Sequence, residues 1–183
     1  MRPDSIGRND HGTGNEYAKV TRNERISSQN LVKALEARGL DVGAIKEVCR
    51  EVAFCKPSTG GTGYGIGYPT IGGGYVIWNP HIGRHNFAGP AGLSFVPDEY
   101  VSNTIHLFDR LSDYIYYISR EKNRPPEDIL ILNSNVFTSH AIDFLEINEY
   151  ENILCSLMET ALGKEEFFII HAAFPSAKEV RVI

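Results

Sequence analysis

The spacing of apolar residues changes period three times along the chain, and each change marks a different kind of structure. Residues 1–27 show no period. The opening MRPDSIGRNDHGTGNEY is rich in Asn, Gly, Arg and Asp, and the stretch is expected to be a flexible arm. Ser27 and Ser28 then offer an N-cap to a helix with Leu31, Val32 and Leu35 on one face, closed by Gly39. Asp41 can cap a second helix carrying Ile45, Val48, Cys49 and Val52. The pair is expected to be a helical hairpin packed on the main body. A DNA-reading helix-turn-helix is disfavoured, because neither helix has a basic face.

The second change falls at Gly63, Gly65 and Gly67, which alternate with Tyr64, Ile66 and Tyr68 at strand period. Pro69-Thr70 and Gly72–Gly74 supply turn chemistry before a second strand, Tyr75–Trp78, so a glycine-rich β-hairpin is expected. A phosphate-binding loop is not: neither G-x-x-x-x-G-K-[ST] nor G-x-G-x-x-G occurs. From Asn103 the pattern becomes α/β. Thr104–Phe108 reads as a strand, Leu111, Tyr114, Ile115 and Ile118 as a helix reaching Arg120, and Ile129–Leu132 as a buried strand after the Pro125-Pro126 break. A helix around Ala141–Leu145, a strand over Ile153–Leu157 and a last short strand at Val180–Ile183 follow; Ala161–Phe174 fits helix or strand. The expected fold class is α/β: a small parallel sheet flanked by helices (101–183), preceded by a subdomain (28–100) of helical hairpin and β-hairpin.

Composition narrows the function. A chain of 183 residues with 42% hydrophobic content suits one domain, or a domain with a small appendage. The net charge of −5 excludes a generally basic nucleic-acid binder. Residues 1–60 carry ten Lys and Arg against eight Asp and Glu, and residues 61–183 carry eight against fifteen. A grip on a polyanion should therefore begin near the N-terminus, or use divalent cations further along. No apolar run of transmembrane length and no secretory signal is present, so no membrane partner is expected. Cys49, Cys55 and Cys155 form no C-x-x-C pair and read as buried thiols of a reducing compartment, the cytoplasm.

The second half resembles a specific family. Thr104–Phe108 followed by Asp109-Arg110-Leu111-Ser112-Asp113 resembles the opening of a toprim domain, the Mg-binding α/β module of bacterial primases, topoisomerases and some nucleases. Leu132-Asn133-Ser134 is similar to the L-N-S segment of toprim proteins of mobile elements, and Met158–Lys164 aligns with the family's D-x-D-x-x-G-[KR]. Upstream, LEARGL (35–40) and GIGY…GGGYVIWN (65–79) resemble the helix-turn and the glycine-rich hairpin that precede toprim in primase-like proteins. The resemblance covers residues 28–183.

The departures lie where the chemistry would be. The catalytic glutamate is Asp109, the glycine after it is Arg110, both aspartates of D-x-D are replaced (Met158, Thr160), and the hairpin arginine is Trp78. No Cys/His quartet could form the zinc ribbon that precedes such primase domains. Toprim chemistry needs hard oxygen ligands for Mg²⁺ and a carboxylate to manage a proton. A thioether does not bind Mg²⁺, so the ion is expected to bind weakly or not at all.

The resemblance thus implies a candidate acidic set of Asp109, Asp113 and Glu159. Asp109 and Glu159 would be the metal ligands if the strand at 153–157 ended one residue later. Asp109 and Asp113 could equally cap the following helix. Arg84, His85, Arg110 and Lys164 are the candidate nucleic-acid contacts; the first two, in a loop, could equally be solvated. Trp78, Tyr75, Tyr64 and Tyr68 could stack bases or pack into the core. The histidines lack zinc-ligand spacing, and neither Ser112 nor Ser134 has an evident base.

The expected function is a nucleic-acid-associated, toprim-like protein of mobile-element type with degenerate catalytic acids. It would act by binding DNA or a replication or defence partner. Two alternatives stand beside it: a Mg-dependent primase-like nucleotidyltransferase or nuclease using the reduced acidic set, and a protein-binding scaffold with no nucleic-acid role.

Overall fold

Two five-stranded sheets of opposite character share one helix between them. The structure, a computed structural model, describes residues 17–121, 126–157 and 160–181. The first sheet is antiparallel throughout, in the sequential order β1 (Lys19–Glu24), β2 (Arg50–Lys56), β3 (Gly61–Pro69), β4 (Tyr75–Asn79), β5 (Arg84–Ala88). Helices α1 (Gln29–Glu36) and α2 (Val42–Val48) join β1 to β2. The second sheet has the order β10-β9-β7-β8-β6, from β6 (Ser94–Val96), β7 (Thr104–Phe108), β8 (Asp128–Ile131), β9 (Asn152–Ser156) and β10 (Lys178–Glu179). Its members run parallel except β6, which pairs antiparallel to β8 at one edge. Helices α3 (Leu111–Arg120), α4 (Thr138–Asn148) and α5 (Ala161–Ala173) follow β7, β8 and β9. The expected α/β class with a parallel sheet flanked by helices is present.

The glycines of β3 explain the shape of the first sheet. Gly63, Gly65 and Gly67 all face one side, and a Cβ there would lie 2.5 Å from the Phe54 ring, 2.3 Å from the Trp78 carbonyl oxygen and 2.5 Å from Val52 Cγ2 respectively. Bare backbone lets Phe54, Val52 and Ile77 fold over the strand as a small buried cluster. The sheet curls until its edges meet: Gly89, just after β5, donates its N–H to the carbonyl of Ala18, just before β1, at 2.7 Å. The opposite face presents Ile66, Val76 and Trp78 to a core shared with α1, α2, α3 and the parallel sheet, where Leu31, Leu35, Phe108, Leu111, Tyr114 and Ile131 are fully buried. The other side of the parallel sheet packs Leu107, Leu130, Ile153 and Cys155 against Ala141 and Leu145 of α4 and Ile170 of α5.

Several expectations need correction. The arm expected over 1–27 contains β1, all of whose residues are exposed and which the ladder to β2 holds in place; residues 1–16 lie outside the described residues. The second helix stops at Val48, because Cys49 turns extended and Arg50–Lys56 pairs on both sides as β2. The expected two-stranded hairpin is therefore the middle of a larger sheet. Arg84 and His85 stand on a strand, β5, rather than in a loop. Ala161–Ala173 is a helix, and a short strand falls at Lys178–Glu179, ahead of the expected 180–183, of which 182 and 183 lie outside the described residues. Cys49 and Cys155 are buried free thiols, each pushed up to about 12 by burial; Cys55 is half-buried. No helix among the described residues is long and apolar enough to cross a membrane.

Candidate functional site

A crevice of about 360 Å³ opens where the C-terminal ends of β7 and β9 meet the start of β5. Ligand crevices of open parallel sheets form at this edge, since chain leaving adjacent strands diverges there. Asp109 is the first residue beyond β7 and is 7% exposed. Its carbonyl accepts the Asn133 N–H at 2.7 Å, locking the β7 exit against the β8 exit. Asn133 adopts a left-handed φ of 63°, and its amide donates to the Gly92 carbonyl and Ser94 Oγ, both at 3.0 Å.

Arg110 is the N-cap of α3, and its guanidinium Nε lies 3.5 Å from Asp109 Oδ2. One turn in, Asp113 Oδ2 accepts the Arg110 N–H at 3.2 Å and Oδ1 accepts the Ser112 hydroxyl at 3.1 Å. Asp113 is thus a helix-capping residue that also faces the crevice. Burial, then repulsion from Asp109, pushes its carboxyl up to about 6 against the pull of Ser112 and Arg110. Burial also raises Asp109, with Arg110 opposing. Across the crevice, His85 Nε2 accepts the Ser112 N–H at 3.4 Å; burial and then the Arg110 charge push His85 down to about 4.

The far wall is built by the β9–α5 junction. Thr160 caps α5, its hydroxyl accepting the Gly163 N–H at 2.9 Å. A Cβ on Gly163 would lie 1.7 Å from the Leu157 carbonyl oxygen, so only glycine lets the helix start this close to the strand. Ser156 lies on the crevice wall and continues inward as a polar chain. Its hydroxyl contacts His106 Nε2 at 2.8 Å and the Val180 carbonyl at 2.9 Å, while His106 Nδ1 is 3.5 Å from the Glu127 carboxylate, which Tyr117 also bonds.

One buried acidic residue of α5, outside the crevice lining, was not singled out from sequence. Glu166 is 2% exposed, and neither carboxylate oxygen has a hydrogen-bond partner among the described residues. Burial and then repulsion from Asp109 push it up to about 7, with Arg110 opposing. The signal lay in EEFFIIHAAF: once that segment is helical, Gly163, Glu166 and Ile170 share the buried stripe.

The structure thus brings Asp109, Arg110, Asp113 and His85 together. Arg84 sits beside them in sequence but opens onto another cavity, and Lys164 is exposed on α5 away from the crevice lining. Met158 and Glu159 lie outside the described residues. The fit to a divalent metal is poor. Among the described residues no three His, Cys, Asp or Glu side chains converge to hold an ion, Thr160 spends its hydroxyl on the helix cap, and a guanidinium stands against Asp109.

The second cavity, about 860 Å³ and open, lies at the end of the antiparallel sheet that holds the 56–61 and 79–84 turns. Arg22, Lys56 and Arg84 line it with Thr62, Asn79 and Asn86, and no carboxylate side chain among the described residues does. Arg22 is engaged by Glu51 at 2.5 Å and by Glu24 at 3.4 Å. Trp78 does not reach it: the ring is 2% exposed, with His85 stacked at 6.5 Å and the Arg38 guanidinium at 5.7 Å.

No protein-family model matches the chain, and no curated protein does. One solved structure does: a chain from the bacteriophage T7 lagging-strand DNA polymerase interacting with primase domains of two gp4 subunits bound to an RNA/DNA hybrid and dTTP. The TM-score is 0.51 at 12% identity, over 81% of this chain and 78% of that one. The fold is primase-like.

Proposed function

We propose that the chain is a nucleic-acid-associated, primase-like protein of toprim type that works by binding a strand rather than by nucleotidyl transfer. The observation that carries this reading is the open cavity lined by Lys56 and Arg84, and by Arg22 in its ion pairs with Glu24 and Glu51, with no carboxylate among its described lining residues, on a chain of net charge −5. Charge of one sign gathered in a concavity concentrates a polyanion there, whatever the overall charge. Thr62 and Asn86 on its wall add polar side chains of the kind that contact phosphate oxygens. The primase-like fold supports the class of ligand. The crevice supports the lack of transfer chemistry, because a two-metal or one-metal phosphoryl transfer needs converging oxygen ligands.

Fluorescence anisotropy with single-stranded DNA, duplex DNA and an RNA/DNA hybrid at low salt tests it. Single-stranded DNA should bind, and Lys56→Glu with Arg84→Glu should weaken binding at least tenfold, because both side chains are exposed and the fold is spared. Absence of binding to every probe would leave the scaffold reading in its place. Mn²⁺-dependent primer synthesis or cleavage that Asp109→Asn abolishes would overturn the binding-only reading in favour of a metal-dependent enzyme.

A further inference from the structure

His106 and Ser156 stand on the same face of the parallel sheet, because Phe108 pairs with Ser156 and His106 precedes Phe108 by two residues. Ser156 ends β9 on the crevice wall, and His106 lies behind it at 2% exposure. The serine hydroxyl meets His106 Nε2 at 2.8 Å, and the Glu127 carboxylate stands 3.5 Å from the other ring nitrogen, Nδ1. Glu127 is itself held in place. Asp98 accepts its backbone N–H at 2.8 Å, and Tyr117 donates its hydroxyl to its carboxylate. A carboxylate beside Nδ1 selects the tautomer with its proton on that nitrogen, which leaves the Nε2 lone pair facing the serine. The same hydroxyl lies 2.9 Å from the Val180 carbonyl, so its one proton has a resting acceptor and a base.

A nucleophile in hydrogen-bond reach of a base, with the base oriented by an acid, is the constellation of serine acyl transfer. The crevice of about 360 Å³ beside it has room for a small acyl group, Phe108 and Tyr116 line it, and Arg110 and Arg120 are its cations for a developing oxyanion. We propose that Ser156, His106 and Glu127 form a metal-independent site that hydrolyses small carboxylic esters. Ser156 is the nucleophile, His106 its base and Glu127 a positioning residue. As Ser156 Oγ bonds the acyl carbon, its proton passes to His106 Nε2; the ester C–O bond then breaks and the alcohol leaves with that proton. Water next gives a proton to Nε2 while its oxygen bonds the acyl carbon, and the carboxylic acid departs as Ser156 Oγ recovers the proton. Acyl transfer uses no divalent ion, so the crevice's poor fit to a metal does not oppose it. The proposal goes beyond strand binding and does not rest on it.

Hydrolysis of p-nitrophenyl acetate and labelling by a fluorophosphonate test it on the full chain. The wild type should release p-nitrophenol with an initial burst and take one phosphonyl group, located at Ser156 by peptide mass mapping. Ser156→Ala should lose both, and His106→Gln should slow both about 100-fold or more. Glu127→Gln keeps an acceptor for Tyr117 and should lower kcat with KM unchanged, a split that loosened packing would not give. Because His106 is buried, Ser156→Cys supplies a second test that leaves the base in place. Its thiol should react with iodoacetamide with a midpoint well below the ordinary thiol value of about 8.5. A wild type unlabelled at Ser156 would overturn the proposal. So would a Ser156→Cys profile centred on the ordinary value, or labelling that a folded His106→Gln leaves unchanged.

Discussion

Two buried glutamates, one beside each sheet, are treated in opposite ways. Glu51 on β2 is 1% exposed, and Arg22 reaches it at 2.5 Å while the backbone N–H groups of Ser27 and Ser28 donate at 3.1 and 2.9 Å. Those bonds fasten the edge strand β1 and the entry to α1 onto the curled sheet. Glu166 on α5 is equally buried and has none of this among the described residues. A fully bonded buried carboxylate pins a fold, whereas an unbonded one stores unfavourable free energy that a ligand, a proton or a neighbouring cation can relieve. The contrast separates a structural clasp from an unrelieved buried charge.

The largest expected effect lies on the clasp. Glu51→Ala leaves two amide donors unpaired and takes one of the two carboxylates from Arg22, and should cost about 2–4 kcal/mol, lowering the melting temperature by roughly 10 °C for a chain of this size. Chemical denaturation measures it. A loss below about 1 kcal/mol would mean that the bonds to Glu51 do not hold β1, and the contrast would fail at its firmer end.

Glu166 should behave in the opposite sense. Its folded pKa of about 7 lies above the ordinary 4.5, so the folded state binds a proton that the unfolded state releases between these values. Stability is therefore fully present below about pH 4.5 and is lost as the pH rises through 7. Glu166→Gln removes this loss and should be more stable than wild type at pH 8 by about 1–3 kcal/mol, with the advantage gone near pH 4.5. His85 works the other way. Pushed down to about 4, it costs stability as the pH falls below 6.5, so the mutant-minus-wild-type difference is the quantity to follow. A difference independent of pH would show that Glu166 is not strained by its surroundings.

How much of this was legible depended on whether local pattern or tertiary pairing decides. The strands read at Thr104–Phe108, Ile129–Leu132 and Ile153–Leu157 fall within a residue of β7, β8 and β9, because each is an apolar run between breakers. The antiparallel sheet was half-legible. β1 is KVTRNE with every residue exposed, so only the ladder to β2 makes it a strand. β2 was hidden because Ile45, Val48, Cys49 and Val52 continue a helical spacing, and pairing on both edges overrides it. At the site, Asp109, Arg110 and Asp113 were legible since they close one strand and open the next helix. Glu166 was not: its meaning comes from Gly163, which seats α5 against Leu157, and from an aspartate 57 positions earlier in the chain.

The smallest effect decides where Asp113 belongs, since it both caps α3 and faces the crevice. Asparagine keeps a carbonyl oxygen for the Arg110 N–H and removes the repulsion with Asp109. Asp113→Asn should therefore match or exceed wild type at pH 8 by less than about 1 kcal/mol, the half-buried position being partly screened by water. That gain is present above the folded value of about 6 and vanishes below the ordinary 3.8, where wild type is protonated as well. Asp113→Ala removes the same repulsion but loses the cap, and should fall about 1 kcal/mol below Asp113→Asn at both pH values. If alanine and asparagine behave alike, the hydrogen bond to Arg110 contributes nothing, and Asp113 is an acid of the crevice that happens to begin a helix. If they differ as expected, Asp113 serves the helix first, and Asp109, with the Arg110 guanidinium at 3.5 Å, is the acid of the crevice.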